Sequence, residues 1–566
     1  MVEEEKKNLR TKEFDFMVNK EDRVFYDYTK THLTESETGE IKNKLIELDL
    51  CKRIMEMHLG RNVNFTEQLP ELHYLLRGKV TPNKDAVKSD SSKTDSFDTD
   101  GFRKEVEGVL DEMKSFEEEF DNLRSATGRK FKYIFNLGIG GSDLGPKLIN
   151  SALHCYKKRT VYFFSNVDSS NLFLQLDLLL EAGESLQEIM EQSFFIVVSK
   201  SWTTTETLNN INLILEMCQT VGIDINDVIE KQVVAVTSKT DAFIDFRESK
   251  GIRIKTFKMA DFICGRYSLW SAVGLSIVLG IGYDNFTRLL NGAHQADIDF
   301  FTNQIESVAV HAAVVEIYYN KITTKCYASY DSHLSLLPFY LQQAEMESNG
   351  KLYSRQKIVW GGIGTDVQHS FFQYLHQNDN ISYLEMLVPL ENQYINKYPN
   401  MINTIKKHHD ILISNCLAQT KTHWFGNSAN ADETIEVITN EFNKSFKNKA
   451  IDDHVDIKLL KESITSNTGI DLSQIVKSPN HLIREIITNA TKMHHKGNRP
   501  STTIAYTKLS PEVLGFILGI YEHKIFVEGV YWGCCSFDQF GVKLGKKAAT
   551  EIEQNSEGVS KKWIIR

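Results

Sequence analysis

Across 566 residues the chain carries only 8 cysteines and 9 prolines, and no cysteines form a Cys-x-x-Cys pair. Cys534 and Cys535 are adjacent, a poor arrangement for bonding to each other. A disulfide-built fold is therefore excluded, and reduced thiols in a cytoplasmic protein are expected. Two His-His pairs, His408-His409 and His494-His495, lack nearby Cys or a His-Glu-x-x-His frame, so no metal site is expected. There is no long block of Lys or Arg, and the net charge is −10. A nucleic-acid partner, which needs a positive footprint to displace counterions, is excluded by that balance. The most apolar run, Leu269 to Tyr283, is interrupted by Ser and Gly. It falls short of the ~20 apolar residues a membrane span needs. Met1 to Lys7 contain no apolar core and do not read as a secretory signal.

What is present is the material of a large soluble protein: 41% hydrophobic and 25% charged residues. The length calls for two or more packed units. Residues up to about Leu76 read as helical and charged, and the polar stretch Thr81 to Gly101 reads as a surface loop. From Lys130 the pattern changes to short apolar runs ending in small polar residues. Tyr133–Phe135, Val161–Phe164, Phe194–Val198 and Val233–Val236 are expected strands, with helices between them. A second series starts near Lys325, with a helix over Leu336–Glu347, a strand at Ile358–Trp360, and the apolar run Tyr383–Leu387. A helix over Leu544–Ile552 closes the chain. Buried strands alternating with helices predict two parallel, doubly wound α/β units in tandem. Ligands of such sheets bind beyond the carboxyl ends of the strands.

Two loops suit an anion. Gly138-Ile139-Gly140-Gly141-Ser142-Asp143-Leu144-Gly145-Pro146 joins a strand to a helix, so the backbone can approach a phosphate and unpaired N–H groups face it. The loop partly mimics a dinucleotide fingerprint, and Asp168 follows the next strand, but Asp143 stands at the third glycine position. A structural tight turn is the alternative. Ser199-Lys200-Ser201-Trp202-Thr203-Thr204-Thr205-Glu206 follows another strand, and Thr203 and Glu206 have capping-box spacing. Its hydroxyls and Lys200 could hold a monophosphate, or simply cap a helix.

Candidate chemistry lies further on. Gln343 and Glu347 are four apart on one helix face, and Asn349-Gly350 is a plausible stop. A carboxylate at the negative end of a helix suits a base of modest strength; an exposed Glu is the alternative. In Gly361-Gly362-Ile363-Gly364-Thr365-Asp366-Val367-Gln368-His369, capping by Asp366 would put His369 in the first helical turn, where neutral imidazole is favoured. A buried structural His is equally open. Arg266, entering an apolar segment, needs an anionic partner, either an intermediate or a structural carboxylate. Spacing alone assigns Lys546 nothing.

Taken together, Gly138–Pro146, Ser199–Thr207, Gly265–Gly274, Met346–Lys351, Gln368-His369, Gly497–Pro500 and Phe537–Lys546 resemble the signatures of the glucose-6-phosphate isomerase family, also called phosphoglucose isomerase. The resemblance runs from about Phe131 to Ala549 and implies two sugar-isomerase (SIS) type α/β domains, with helical extensions at either end. The implied bounds are 1–120 for the N-terminal extension, 121–290 and 291–515 for the two domains, and 516–566 for a C-terminal segment completing the site. The resemblance also implies a homodimer with shared active sites and a hexose 6-phosphate substrate, with no cofactor. By matching motif, Gly141, Ser142, Ser199, Lys200, Ser201 and Thr204 would hold the phosphate and neighbouring sugar atoms, and Gln343 would contact the substrate. Glu347 would move the proton between C2 and C1, and Arg266 would stabilise the enediolate. His369, from the partner subunit, and Lys546 would assist ring opening.

Three positions depart from the family pattern: Cys264 for a glycine, Lys543 for a glutamate one turn from Lys546, and Asp366-Val367 for Asn-Gly. A non-catalytic sugar-phosphate sensor would keep the Ser/Thr loops but could lose Glu347, Arg266, His369 or Lys546, and all four are present. A nicotinamide oxidoreductase would need the third glycine that Asp143 replaces.

Overall fold

The fold was analysed in a computed structural model that describes residues 12–80, 99–239, 254–426, 431–447, 451–465, 471–477, 480–491 and 495–554. The N-terminal segment, expected to be helical, starts instead with an antiparallel hairpin of β1 (Glu13–Met17) and β2 (Arg23–Asp27). The reason is a period of two: Val24 and Tyr26 point into the core while their neighbours face outward. Helices follow at Glu35–Glu47, opened by a Thr34/Glu37 capping box, and at Leu50–His58. Most of the polar loop expected at 81–101 lies outside the described residues.

The first sheet comprises β3 (Tyr133–Leu137), β4 (Val161–Phe164), β5 (Ser193–Val198), β6 (Val233–Thr237) and β7 (Lys255–Lys258). All pairings are parallel, in the order β4-β3-β5-β6-β7. Every residue of β3, β5 and β6 is buried, as expected of strands covered on both faces. The chain leaves β3 toward β4 and returns on the other side as β5. The gap beyond β3 and β5 is thus the topological switch point, where ligand loops collect.

The second sheet contains β8 (Thr324–Ser329), β9 (Ile358–Ile363), β10 (Tyr383–Pro389) and β11 (Ser501–Tyr506). Its order is β1-β2-β11-β10-β8-β9, so the N-terminal hairpin extends it in antiparallel fashion from β11. The switch point here lies between β8 and β10.

Two long helices join the halves. Tyr283–Asn303 and Pro511–Trp532 approach closely because small residues face each other: a Cβ at Gly292 would stand 1.9 Å from Glu512 O, and one at Gly515 would stand 2.0 Å from Leu289 O. The second helix is well delimited, with Ser510 accepting from Val513 N–H, Pro511 in the first turn, and Gly533 left-handed at its end. Boundaries expected at 290/291 and 515/516 therefore fall inside continuous helices, because these helices pack as one pair rather than serving as linkers. Between β10 and β11 the helices Ala431–Phe446, Ile457–Thr465 and His481–Thr491 gather a small separate core around Phe442, Leu460 and Ile487. These helices lie within 291–515, the range expected for the second α/β unit, and form a subdomain with its own core. No helix among the described residues is long and apolar enough to cross a membrane.

Candidate active site

Both predicted anion loops sit at the first switch point. The chain turns at Gly138, makes a 3-10 turn over Gly140–Ser142, and enters the helix Leu144–Ala152. Gly140 adopts φ +62°, and a Cβ at Gly141 would lie 2.1 Å from Gly265 O. Only glycine permits that approach, which presses the loop against the segment carrying Arg266. Asn136 Nδ2 holds Ser142 O at 3.0 Å. Asp143 is buried, and burial pushes its carboxyl up to about 6.

After β5, Ser199 donates its hydroxyl to Thr204 Oγ1 at 3.1 Å, and the Ser201 and Thr203 hydroxyls pair at 2.7 Å. The helix here is Thr205–Thr220, with Thr204 in the cap position and no side-chain cap bond. The Thr203/Glu206 capping box is therefore not formed, because the helix starts one residue later and Thr203 is engaged by Ser201. Lys200 Nζ donates to Asp261 O at 3.0 Å and Ile263 O at 2.8 Å, tying this loop to the same Arg266 segment.

The expected helix over Leu336–Glu347 is α-helical only at Leu337–Leu341; Gln342–Glu347 is a π-helical turn. Such turns concentrate at functional sites. Gln343 Nε2 still meets Glu347 Oε2, at 2.9 Å. A Cβ on Gly140 would lie 3.0 Å from that same Gln343 Nε2, so the first loop reaches the carboxylate pair. Glu345, two residues before Glu347, points the opposite way into the core, while the Glu347 side chain keeps 22% exposure. A cavity of about 690 Å³ opens over Gln343, Glu347, Lys351 and residues 538–542.

Arg266 is buried beside this cavity. Its Nε donates to Ser348 Oγ at 2.6 Å, and its Nη2 donates to Ser536 O at 2.5 Å and Asp538 O at 3.0 Å. Nη1 has no hydrogen-bond partner and stands 3.8 Å from Glu347 Oε2. Burial works against the Arg266 charge, but Cys264, Tyr267 and Glu347 outweigh it and hold its pKa above the usual range. One guanidinium nitrogen is thus charged, dry and free for a developing anion next to a carboxylate. Lys351 Nζ meets Asp538 Oδ1 at 2.7 Å, and Thr66 Oγ1 donates to Asp538 Oδ2 at 2.7 Å, fastening the C-terminal segment over the cavity.

His369 is not brought into this group. The helix after β9 is Gly364–Gln368 with Ile363 at its cap, so Asp366 does not cap it and His369 closes it rather than opening it. The cause is that β9 runs on through Ile363, past the expected end at Trp360. His369 is exposed, and it is not among the residues lining the cavity. Lys546 lies on the helix Lys543–Gln554, but its side chain, like that of Lys543, is outside the described residues. At the Cys264 departure, the backbone N–H is taken by both Glu71 oxygens (2.9 and 3.0 Å), and burial pushes the thiol up to about 11. That shift disfavours the thiolate, the reactive form of a cysteine, at neutral pH.

Sequence reasoning missed Ser348, Lys351, Asp538 and Glu71 as supports. The first three lie inside motifs already singled out, whereas no local pattern marks Glu71.

Two parallel α/β units, with hydroxyl-rich loops at one switch point and a carboxylate–guanidinium pair beside them, define a sugar-phosphate isomerase. The sequence matches the profile of the family described as phosphoglucose isomerase over residues 27–562, and the chain belongs to that family. A solved glucose-6-phosphate isomerase from Chlamydia trachomatis is similar at 25% identity and TM-score 0.70, over 97% of this chain and 91% of that one. A hypothetical protein from Thermus thermophilus shares the fold at 19% identity and TM-score 0.50, over 78% of this chain and 87% of that one.

Proposed function

We propose that the reversible interconversion of glucose 6-phosphate and fructose 6-phosphate, the reaction of this family, takes place in the cavity over Gln343 and Glu347, with Glu347 as the base. The observation that carries the assignment is the free Nη1 of buried Arg266, 3.8 Å from Glu347 Oε2. In the open-chain sugar, Glu347 takes the proton from C2, the charge gathers on the enediolate oxygen facing Arg266, and the same carboxyl returns the proton to C1. Gln343 keeps Glu347 aimed through the 2.9 Å bond. The phosphate, far from the reacting carbons, is held by the N–H of Gly141 and the hydroxyls of Ser142, Ser199, Ser201 and Thr204, with Lys200 adding charge. Its binding energy orients the reacting end.

Ring opening needs a proton donor and acceptor at the ring oxygen and O1. His369 and Lys546 take that part in our reading. We infer that His369, exposed and not among the residues lining the cavity of its own chain, serves the site of a second copy in a homodimer with shared sites. Eight free cysteines favour a cytoplasmic setting.

The test is conversion of fructose 6-phosphate to glucose 6-phosphate in the presence of EDTA, comparing wild type with Glu347→Gln. Turnover indifferent to the chelator and lowered ~10²-fold or more in the variant is expected. An undiminished variant would remove Glu347 as the base, and an inactive but folded wild type would favour a sensor.

A further inference from the structure

The second sheet has a switch point of its own, between β8 and β10, and the isomerase reaction uses nothing there. The loop after β8 carries Asp331 and His333, and the one after β10 carries Tyr394. From the first α/β unit, the 3-10 turn His154–Tyr156 brings in Cys155. Cys155 Sγ lies 3.5 Å from His333 Nε2, and His333 Nδ1 lies 2.7 Å from Asp331 Oδ1. Asp331 is itself fixed, accepting from Tyr506 OH at 2.8 Å and from the His333 N–H at 3.0 Å. A carboxylate on Nδ1 selects the tautomer with its hydrogen there, leaving Nε2 to accept from the thiol. Thiol, imidazole and carboxylate thus stand in the relay order of an activated nucleophile, at the end of a sheet where ligands bind.

Two further observations single this thiol out. Cys155 alone among the eight cysteines is exposed. Burial pushes the thiols of Cys51, Cys218, Cys264, Cys326, Cys416 and Cys534 up, away from the reactive thiolate form. The surroundings also have room and positive charge. A cavity of about 410 Å³ opens on Tyr394, Tyr398 and Met401. Lys397 Nζ stands 5.8 Å from the ring centres of both tyrosines, and Lys157 and His154 adjoin the cluster. Tyr394 OH reaches His333 Nε2 at 3.3 Å and also bonds the Cys155 thiol, the first cause that pushes this phenol up to about 12.

We propose that Cys155 is a site of thiol–disulfide exchange with a small anionic disulfide of the glutathione disulfide class, with His333 as its base and Asp331 as the orienting carboxylate. Cys155 gives its proton to His333 Nε2, and its sulfur attacks one sulfur of the disulfide. The new S–S bond forms as the old one breaks, and the leaving thiolate takes the proton back from His333. Cys155 is oxidised to the mixed disulfide, and the other half of the small molecule is reduced to a thiol. The cationic rim of Lys157 and Lys397 favours the anionic reagent.

The experiment treats the full-length protein with glutathione disulfide and, for rates, with dithiobis(nitrobenzoate), mapping the first adduct by peptide mass. One thiol, Cys155, is expected to react first, about tenfold or more faster than the same thiol in the urea-unfolded chain at pH 7. His333→Gln should slow that phase about tenfold while the isomerase activity reports an intact fold. Cys155→Ser should remove the phase altogether. A first adduct on another cysteine, a rate no faster than in the unfolded chain, or an undiminished His333→Gln rate would each overturn the proposal.

Discussion

Behind the π-turn that carries Glu347 lies a buried ionic cluster, and its charge count predicts an unusual substitution. Lys325, Lys357 and Lys524 face the carboxyls of Glu316, Glu345, Glu385 and Glu528, through contacts such as Lys524 to Glu345 at 3.1 Å and Lys325 to Glu385 at 3.2 Å. Three ammoniums cannot neutralise four carboxylates, so one carboxyl keeps its proton. Burial is the main cause that pushes Glu528 up to about 7, with Glu316 and Glu345 adding to it and Lys524 opposing. For Glu345, burial is outweighed by Lys524 and Lys325, which hold it below the usual range. The unfolded chain releases the Glu528 proton near pH 4.5, and the folded chain keeps it to about pH 7. This group's stabilisation is therefore full below pH 4.5 and is lost as pH rises through 7. At ~1.4 kcal/mol per pH unit, the loss is about 3 kcal/mol. Glu528→Gln, which imitates the protonated form, should leave stability unchanged near pH 4.5 and raise it by up to about 3 kcal/mol at pH 8. Glu345→Gln should instead cost ~1–3 kcal/mol at both, because it removes the 3.1 Å partner of Lys524 and the carboxylate that accepts from Tyr327, even though Glu528 can then ionise beside Lys524. Urea unfolding of the three proteins at the two pH values measures this. A Glu528→Gln variant as unstable at pH 8 as Glu345→Gln would refute the charge count.

Other consequences concern the site. Arg266→Lys keeps a positive charge but cannot serve Ser348, Ser536 and Asp538 while leaving a donor free, so kcat should fall ~10²-fold with a smaller change in KM, read in steady-state assays. Gly141→Ala places a methyl 2.1 Å from Gly265 O, so the two loops must part; KM for fructose 6-phosphate should rise and thermal stability should drop by ~1–3 kcal/mol. If sites are shared between copies, co-refolding inactive Glu347→Gln with inactive His369→Ala gives mixed dimers with one intact site, so about a quarter of wild-type turnover should return. No recovery would place His369 within its own chain's site, and an active His369→Ala would place it outside catalysis.

The legible parts of this fold are those with local causes. Buried parallel strands are continuous apolar runs, so Val161–Phe164 is met residue for residue and β5 differs by one position. The glycine-rich and hydroxyl-rich loops declare themselves because close backbone approach and helix starts need those residue types. The illegible parts depend on distant partners. Whether Arg23–Asp27 is a strand depends on β11, almost the whole chain away, and charged residues around it read as a helix surface. The start of the helix after β9 is set by how far β9 pairs with β8, which no pattern within Asp366–His369 encodes. The boundary at 290 is invisible because Gly292 has its reason in Glu512.

The π-turn shows how such remote contacts become a working site. Glu345 and Glu347 are two residues apart and meet opposite requirements: the first is locked by Tyr327, Lys524 and Gln356, the second opens on the cavity. A carboxylate that must pick up and release a proton needs solvent access and a steady aim, and both cannot come from its own contacts. Here the aim comes from behind, since the turn is pinned by a buried ion cluster on helix Pro511–Trp532, and from beside, through Gln343 and Arg266. The same long helix delivers Ser536 and Asp538 just past its end at Gly533, where their carbonyls hold the Arg266 guanidinium. One helix, by packing against Tyr283–Asn303 through glycine contacts, thus sets the positions of both Glu347, the proposed base, and Arg266, the cation proposed to face the enediolate.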